Sequence, residues 1–404
     1  MRVLIVHNRY RFVGGEEAVV TAESKLLRSA GFAVETWGPD NASMSAESIR
    51  EKILAGVSAT WSIRAFVELG RQLDLFRPDI VHVHNTQPMI SPAAHWVASQ
   101  RGIPTIQSVH NYRSFCINGL ALRQGKTCVE CLGRSPLDGV LHRCFRGSAL
   151  ASGAAAASLV AHRALGTWSR KVTLFSVPSR FTLKLLVGAG ISASQLVYRP
   201  QVLEDAPAPG DHDGGYLLFV GRLAVEKGVD LLLGEEFLGK LRLPLHVCGD
   251  GPMRQAVEAC ARRTSKLQYY GALGRSEILG KMRKATLLLV PSLFIEVAPI
   301  ALVEALAVGL PIVVSDHGAL AEQADAGAGW KAPVADGNTW GMAIDSALSD
   351  PVELRRRGAA ARGMFESMHA PEVGVAKLTK LYERAIGMRS SAGLGGASQS
   401  TGNV

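Results

Sequence analysis

Short runs rich in apolar residues recur along the chain, most of them followed by a polar or glycine-bearing loop and then a stretch of helical periodicity. In the first half the runs are Val3–Val6, DIVHVH (Asp79–His84), PTIQSVH (Pro104–His110), TLFSVPS (Thr173–Ser179) and SQLVYRP (Ser194–Pro200). In the second half they are YLLFVGR (Tyr216–Arg222), LPLHVCGDGP (Leu243–Pro252), LQYYGAL (Leu267–Leu273), ATLLLVP (Ala285–Pro291) and PIVVSD (Pro311–Asp316). Runs this short and this apolar predict buried strands. Between them the pattern predicts helices from about Glu16 to Ala30, closed by Gly31, and around Pro92–Gln100. Alternating strands and helices predict doubly wound α/β sheets, whose ligands gather beyond the carboxyl ends of the strands. From about Asp336 the pattern is helical only, ending with PEVGVAKLTKLYERAI (Pro371–Ile386).

The rhythm stops and restarts once. EDAPAPGDHDGG (Glu204–Gly215) is poor in apolar residues and rich in Pro, Gly and Asp, and reads as a linker. A chain of 404 residues suits two domains. The expected division is a first domain over 1–203, a linker over 204–215, a second domain over 216–370, a terminal helix over 371–388, and a Gly/Ser-rich disordered tail over 389–404. MRVLIVHNRY reads as a first strand, not a signal peptide. No apolar stretch reaches the roughly 18 residues of a membrane span.

Charge changes this picture in one place. Residues 101–200 carry 13 Lys and Arg against Glu130 and Asp138 alone. A basic face suggests an anionic partner, a membrane surface before a nucleic acid, because no zinc-finger, helix-turn-helix or RNA-recognition signature accompanies it. A merely solvated basic face is the plain alternative. Four cysteines, Cys116, Cys128, Cys131 and Cys144, follow the spacing C-x11-C-x2-C-x12-C. A structural zinc site fits that spacing, with separate thiols or two disulfides as alternatives. Four thiolates would leave no open coordination position for catalysis.

Candidate chemistry collects at the strand ends. In PSLFIEVAPIALVEALAVGLPIVVSD (Pro291–Asp316), Glu296 and Glu304 stand eight positions apart around a predicted helix start at Pro299, with Gly309 and Pro311 at its end. Helix N-termini hold free N–H groups that suit a phosphate, and Pro299 to Glu304 rises roughly 7–8 Å. Carboxylates on either side of a diphosphate could serve two sets of hydroxyls, the layout of a nucleotide sugar. Two ordinary surface glutamates would give the same spacing. Arg222 and Lys227 flank a strand-to-helix turn at the same sheet edge and could clamp that diphosphate. Gly249 lies in another strand-end turn. In the first half, Gly14-Gly15 follows the first strand, and His84 and His110 end two others. There is no G-x-G-x-x-G, so no nicotinamide or flavin site is read.

With FVGRLAVEKG, VCGDGPM and the E-x7-E stretch in this order, the chain resembles the family 4 glycosyltransferases from its N-terminus to about Ile386. SVHNYRSFCINGLALRQGKTCVECL also resembles a subgroup with a Cys-containing insertion. The resemblance implies the retaining GT-B fold: two Rossmann-like domains facing a central cleft, with the last helix crossing back to the first domain. It implies that Arg222 and Lys227 hold the donor diphosphate, Glu304 the ribose, Glu296 the transferred sugar, and the backbone of Ala298, Pro299 and Ile300 the phosphate. Gly14 and Gly15 would line the cleft, and His110 would meet the donor sugar. His84, Asn111 and Arg113 are expected on the acceptor side. Protein cations, not a metal, would stabilise the leaving diphosphate, so no catalytic cofactor is expected. Val297-Ala298-Pro299 departs from the family's Gly/Ser, aromatic, Gly, and Gln201 stands where many relatives carry Asn. The implied activity is hexosyl transfer from a UDP- or GDP-sugar to a glycan or lipid-linked hydroxyl, in polysaccharide or cell-envelope assembly at the cytoplasmic membrane face. A catalytically silent sugar-nucleotide-binding subunit and a sugar-nucleotide epimerase are the alternatives.

Overall fold

The computed structural model describes residues 1–9, 14–39, 56–334 and 336–397. The strands are β1 (Arg2–His7), β2 (Ala33–Trp37), β3 (Ile80–Asn85), β4 (Thr105–Ser108), β5 (Leu122–Arg123), β6 (Lys126–Thr127), β7 (Leu174–Val177) and β8 (Leu196–Tyr198). They continue with β9 (Leu217–Val220), β10 (Leu245–Cys248), β11 (Leu267–Tyr269), β12 (Leu287–Val290), β13 (Ile312–Ser315) and β14 (Gly329–Ala332). Two compact units result. One comprises Met1–Gly119, Val129–Arg199 and the chain from Gly374; the other comprises Leu120–Cys128 and Pro200–Val373.

The first unit holds a parallel sheet of order β2-β1-β3-β4-β7-β8. Side chains of one strand point alternately to opposite faces, so an all-apolar strand demands a core on both. Val3 and Ile5 of β1 meet Val20, Leu27, Ile80 and Ile106, while Leu4 and Val6 meet Leu69, Leu73, Val81 and Val97. The helix Pro371–Ala397 adds Leu378, Leu381, Tyr382 and Ala385 to the first of these cores. Its backbone continues past Ile386 to Ala397, where glycine and serine content predicted disorder. Residues 398–404 of that expected tail lie outside the described residues.

The second unit repeats the plan in the order β11-β10-β9-β12-β13-β14. Leu218, Leu288 and Ile312 bury one face under Val303 and Leu306; Leu217, Leu287 and Val313 bury the other under Val229 and Trp340. Each fully buried aliphatic side chain contributes roughly 1.5–3 kcal/mol. Strand order reverses between β1 and β3 in one sheet and between β9 and β12 in the other. The strand ends flanking these reversals open a crevice in sheets of this kind. β5 and β6 form a small antiparallel hairpin. Among the described residues no helix is long and apolar enough to cross a membrane.

Candidate functional site

In the second unit, β9 ends at Val220, and Gly221, Arg222 and the short turn Val225–Lys227 follow. That turn is tied to the end of β12, where the Leu293 amide donates to the Glu226 carbonyl at 2.9 Å. Gly228 closes it at φ 75°, and a Cβ there would stand 1.9 Å from the Pro291 carbonyl oxygen. Only glycine lets the two strand ends come so near. The approach carries Lys227 to Glu296: Nζ donates to Oε1 at 2.6 Å, and the Ser292 hydroxyl donates to the same oxygen at 2.7 Å. Lys227 also lies 4.9 Å over the Phe294 ring. Glu296 is buried, whereas the Arg222 side chain is 64% exposed, with Glu226 as a loose partner at 3.6 Å. The structure thus joins Lys227 and Glu296 and leaves the Arg222 guanidinium in solvent beside them in the chain.

The helix after Glu296 runs Ile300–Val308, with Pro299 as its N-cap. Pro299 therefore precedes the first turn, where the sequence placed it inside. Its first amides have no carbonyl four residues back to bond, so the end remains a donor surface. Ala298, Pro299 and Ile300 are half-buried there. Gly309 caps the far end at φ 74°. Gly249 has a structural reason to be glycine: at φ 144°, its Cβ would meet the Gly221 carbonyl oxygen at 1.9 Å.

Glu304 differs most from expectation. It is buried on the helix, and its Oε1 accepts from Arg275 Nε at 2.9 Å. Arg275 also holds Asp205 through both terminal nitrogens, at 3.0 and 2.6 Å. Burial raises the Glu304 pKa against the opposing pull of Arg275. The sequence reading missed Arg275, because nothing in a sequence spacing of 29 links it to Glu304.

In the first unit, Gly14 precedes the helix Gly15–Ser29 in ordinary extended backbone, and a Cβ added to it would have no atom within 4 Å. The fold therefore does not require glycine there. Glu16, in the first turn, accepts from Asn111 Nδ2 at 2.8 Å and from Asn85 Nδ2 at 3.2 Å. His84 and His110 meet directly, Nδ1 to Nε2, at 3.0 Å, with their rings nearly parallel. Both line a concavity with Asn85, Thr86, Asn111 and Arg113. His84 is buried and His110 half-buried. Burial pushes His110 down to about 4 and His84 well below the usual imidazole range, so both rings are neutral at pH 7. Arg113 is exposed, its amide donating to Asn111 Oδ1 at 3.0 Å.

Among the described residues the four cysteines do not form one group, although Cys131 and Cys144 share an apolar cluster. Among the described residues, metal-capable side chains come within 4.8 Å of one another as a group of three or more at Glu23, His82 and His84. Cys131 and Cys144 pack instead around Ile117 and Leu159, Cys116 Sγ meets Asn118 Oδ1 at 3.1 Å, and no disulfide forms. The residues present therefore do not fit a four-thiolate zinc site. The Glu23 group is no better placed for an ion: Arg199 Nη2 donates to Glu23 Oε1 at 2.5 Å, and His82 Nδ1 meets Tyr382 Oη at 2.9 Å.

Comparison with known proteins matches residues 14–201 to the glycosyl transferase 4-like domain and residues 204–364 to glycosyl transferases group 1. An uncharacterized glycosyltransferase of Methanocaldococcus jannaschii is 30% identical over 146 residues, which cover 34% of this chain and 37% of that protein. The chain thus spans little over a third of that curated relative, and 23% of a second. Among solved structures, sucrose-phosphate synthase from Thermosynechococcus elongatus aligns at TM-score 0.70 and 16% identity, over 96% of this chain and 99% of that one. HepE of Anabaena in complex with UDP-glucose aligns at TM-score 0.66 and 13% identity, over 95% and 100%.

Proposed function

This chain belongs to the group 1 glycosyltransferases and has their GT-B fold of two Rossmann-like domains, and from that premise we propose that it moves a hexosyl unit from a UDP- or GDP-sugar to a hydroxyl of a glycan or lipid-linked acceptor, with retention. The observation that carries the proposal is the Lys227–Glu296 pair at 2.6 Å beside a solvent-open Arg222. It stands where strand order reverses in the second sheet and just before the free amides of a nine-residue helix. The HepE complexes with UDP and UDP-glucose support a nucleotide-sugar donor.

In this reading Arg222, Lys227 and the backbone of Ala298 to Ile300 receive the diphosphate. Glu296 receives hydroxyls of the transferred sugar, and Glu304 those of the ribose. The glycosidic bond from the anomeric carbon to the phosphate oxygen breaks as the acceptor oxygen bonds to the same face. The acceptor proton passes to the leaving diphosphate. Fixed cations aimed at that developing charge supply the catalysis, so no pair of catalytic carboxyls is needed.

Thermal shift against UDP, GDP and their sugars tests the donor. A true ligand at a hundredfold its Kd should stabilise by about 2.7 kcal/mol. No shift with any of them overturns the reading. Tight binding without hydrolysis or transfer would instead favour a silent binding subunit, and the anomer of the product, read by proton NMR, decides retention.

The basic segment extends the proposal to an anionic membrane at the cytoplasmic face. Leu137 and Leu141 share one side of a short helix and are 66% and 77% exposed; Leu150, on the next helix, is 73% exposed. Exposed Arg134, Arg143 and Arg146 accompany them. Basic and apolar groups together favour anionic lipid surfaces. Vesicles containing phosphatidylglycerol should sediment the protein at low salt. They should release it near 1 M salt, where the screening length is about 3 Å. Equal binding to neutral phosphatidylcholine vesicles would overturn this extension.

A further inference from the structure

Behind His110 runs a buried polar chain that the transfer chemistry leaves unused. His84 Nε2 faces Glu23 Oε2 at 3.5 Å, while His84 Nδ1 faces His110 Nε2 at 3.0 Å. Glu23, on the helix Gly15–Ser29, is fully buried, and its other oxygen takes the Arg199 guanidinium at 2.5 Å. Arg199 is fixed in turn by donating from Nε to Ser176 Oγ at 2.7 Å. His82 stands alongside, 3.7 Å from Glu23 Oε2, with its own nitrogens taken by Tyr382 and Ser108. His110 Nδ1 has no partner among the described residues.

These contacts dictate where the protons sit. A neutral imidazole carries one N–H, and the other nitrogen is an acceptor. Burial raises the Glu23 pKa, and the always-charged Arg199 guanidinium at 2.5 Å opposes that rise and favours the carboxylate. His84 Nε2 and Glu23 Oε2 are buried without a hydrogen-bond partner and stand 3.5 Å apart, so the link is electrostatic: a carboxylate there favours the His84 proton on Nε2 over a lone pair. His84 Nδ1 is then the lone pair, and two lone pairs cannot face each other at 3.0 Å, so His110 must carry its proton on Nε2.

We infer that Glu23, acting through His84, is a positioning residue that fixes His110 as its Nε2–H tautomer, so that His110 offers Nδ1 as an acceptor to a sugar hydroxyl. This rests on the reading that His110 meets the transferred sugar. The charged and titratable groups around the chain are Glu23, Arg199, His82 and Tyr382, with Lys377 near Arg199 and Glu16 and His7 near His110. Burial and the Arg199 charge hold the imidazoles neutral, so tautomer rather than charge is the variable. The consequence is chemical selectivity: a sugar must donate a hydroxyl proton to His110, and a fluorine in place of that hydroxyl cannot.

The test reads the tautomers of the ligand-free full chain. Long-range proton–nitrogen NMR of 15N-histidine-labelled protein, assigned with His84→Gln and His110→Gln, should give pyrrole-type Nε2 and pyridine-type Nδ1 for both rings at pH 7. A pyrrole-type Nδ1 on His110 would overturn the inference, since it requires a protonated Glu23 and a chain of donors running the other way. Replacing the whole ion pair by Glu23→Leu with Arg199→Met avoids leaving one buried charge alone. In that folded variant both His110 resonances should move toward averaged positions, and unchanged resonances would also overturn the role of Glu23. The sugar contact is scored separately. If the wild-type tautomer is as assigned but His110→Ala leaves kcat for transfer unchanged, the sugar reading fails and only that part falls.

Discussion

Arg222→Ala is expected to lower kcat for transfer by about 10²–10³, the usual cost of removing one preorganised electrostatic stabiliser, while leaving the melting temperature unchanged. The two halves of that expectation have separate grounds. Stability should not respond, because the side chain is 64% exposed and its ion pair with Glu226 is 3.6 Å long. Such surface pairs contribute about 0–1 kcal/mol. Turnover should respond because the guanidinium stands one residue beyond Gly221 at the end of β9, beside the strand-order reversal. A leaving diphosphate gains charge as its bond to the sugar breaks, and a planar guanidinium can meet two of its oxygens at once. Arg222→Lys keeps the charge but not the fork, and should recover only part of the loss. Initial rates of nucleoside diphosphate release, beside thermal melts, check both halves. Unchanged kcat would remove Arg222 from the diphosphate site.

How much of this was legible in the sequence follows from burial. Interior strands announce themselves: β4, β9, β10, β12 and β13 fall inside runs read as strands, and β1 and β3 overlap theirs with one residue or two beyond. The edges did not. β2, AVETW, is largely exposed, and β14, GWKA, carries a glycine and a lysine; both are edge strands with little apolar pattern to read. The hairpin of β5 and β6 is too short and polar to carry any signal.

Side-chain pairing was legible only where a motif fixed it. Lys227 and Glu296 were singled out separately, by the turn and by the helix start, and the fold brings them together across 69 positions. Ser292, which completes the grip on Glu296, was invisible because a serine in PSLF has many uses. Glu23 was hidden for a different reason. It sits in a helix whose neighbours Val19, Val20, Leu26 and Leu27 are core, and a glutamate there reads as the polar face until the structure shows it buried on Arg199. Cysteine spacing left zinc, separate thiols and disulfides open. C-x2-C records sequence proximity, but side-chain direction decides coordination, and Cys131 and Cys144 turn into an apolar cluster. Val297, which departs from the family pattern, is itself buried, so that change is absorbed in the core next to Glu296.

Lys227→Met is expected to damage stability and turnover together, and a second substitution should separate the two. The lysine neutralises a carboxylate that is buried and whose other donor at Oε1 is the Ser292 hydroxyl. Taking the cation away leaves Glu296 charged, desolvated and held by one neutral hydrogen bond. Breaking a fully buried pair costs about 3–5 kcal/mol. The Lys227 side chain is 25% exposed, so water recovers part of that, and about 2 kcal/mol is the reasonable expectation for a buried acceptor stripped of its main donor. For a domain of this size that corresponds to a fall in melting temperature of about 4–8 °C. Adding Glu296→Gln removes the stranded charge and keeps an oxygen for Ser292, so the double variant should regain most of the lost stability, a coupling that a double-mutant cycle measures directly. Turnover should not return with it. If Lys227 meets the departing diphosphate, as well as setting Glu296, a neutral pair supplies neither the cation nor the carboxylate, and kcat should stay down by about 10² or more. Recovery of kcat alongside stability would mean that the lysine serves only to hold the glutamate in place, and that the developing charge is met by Arg222 and the helix amides alone.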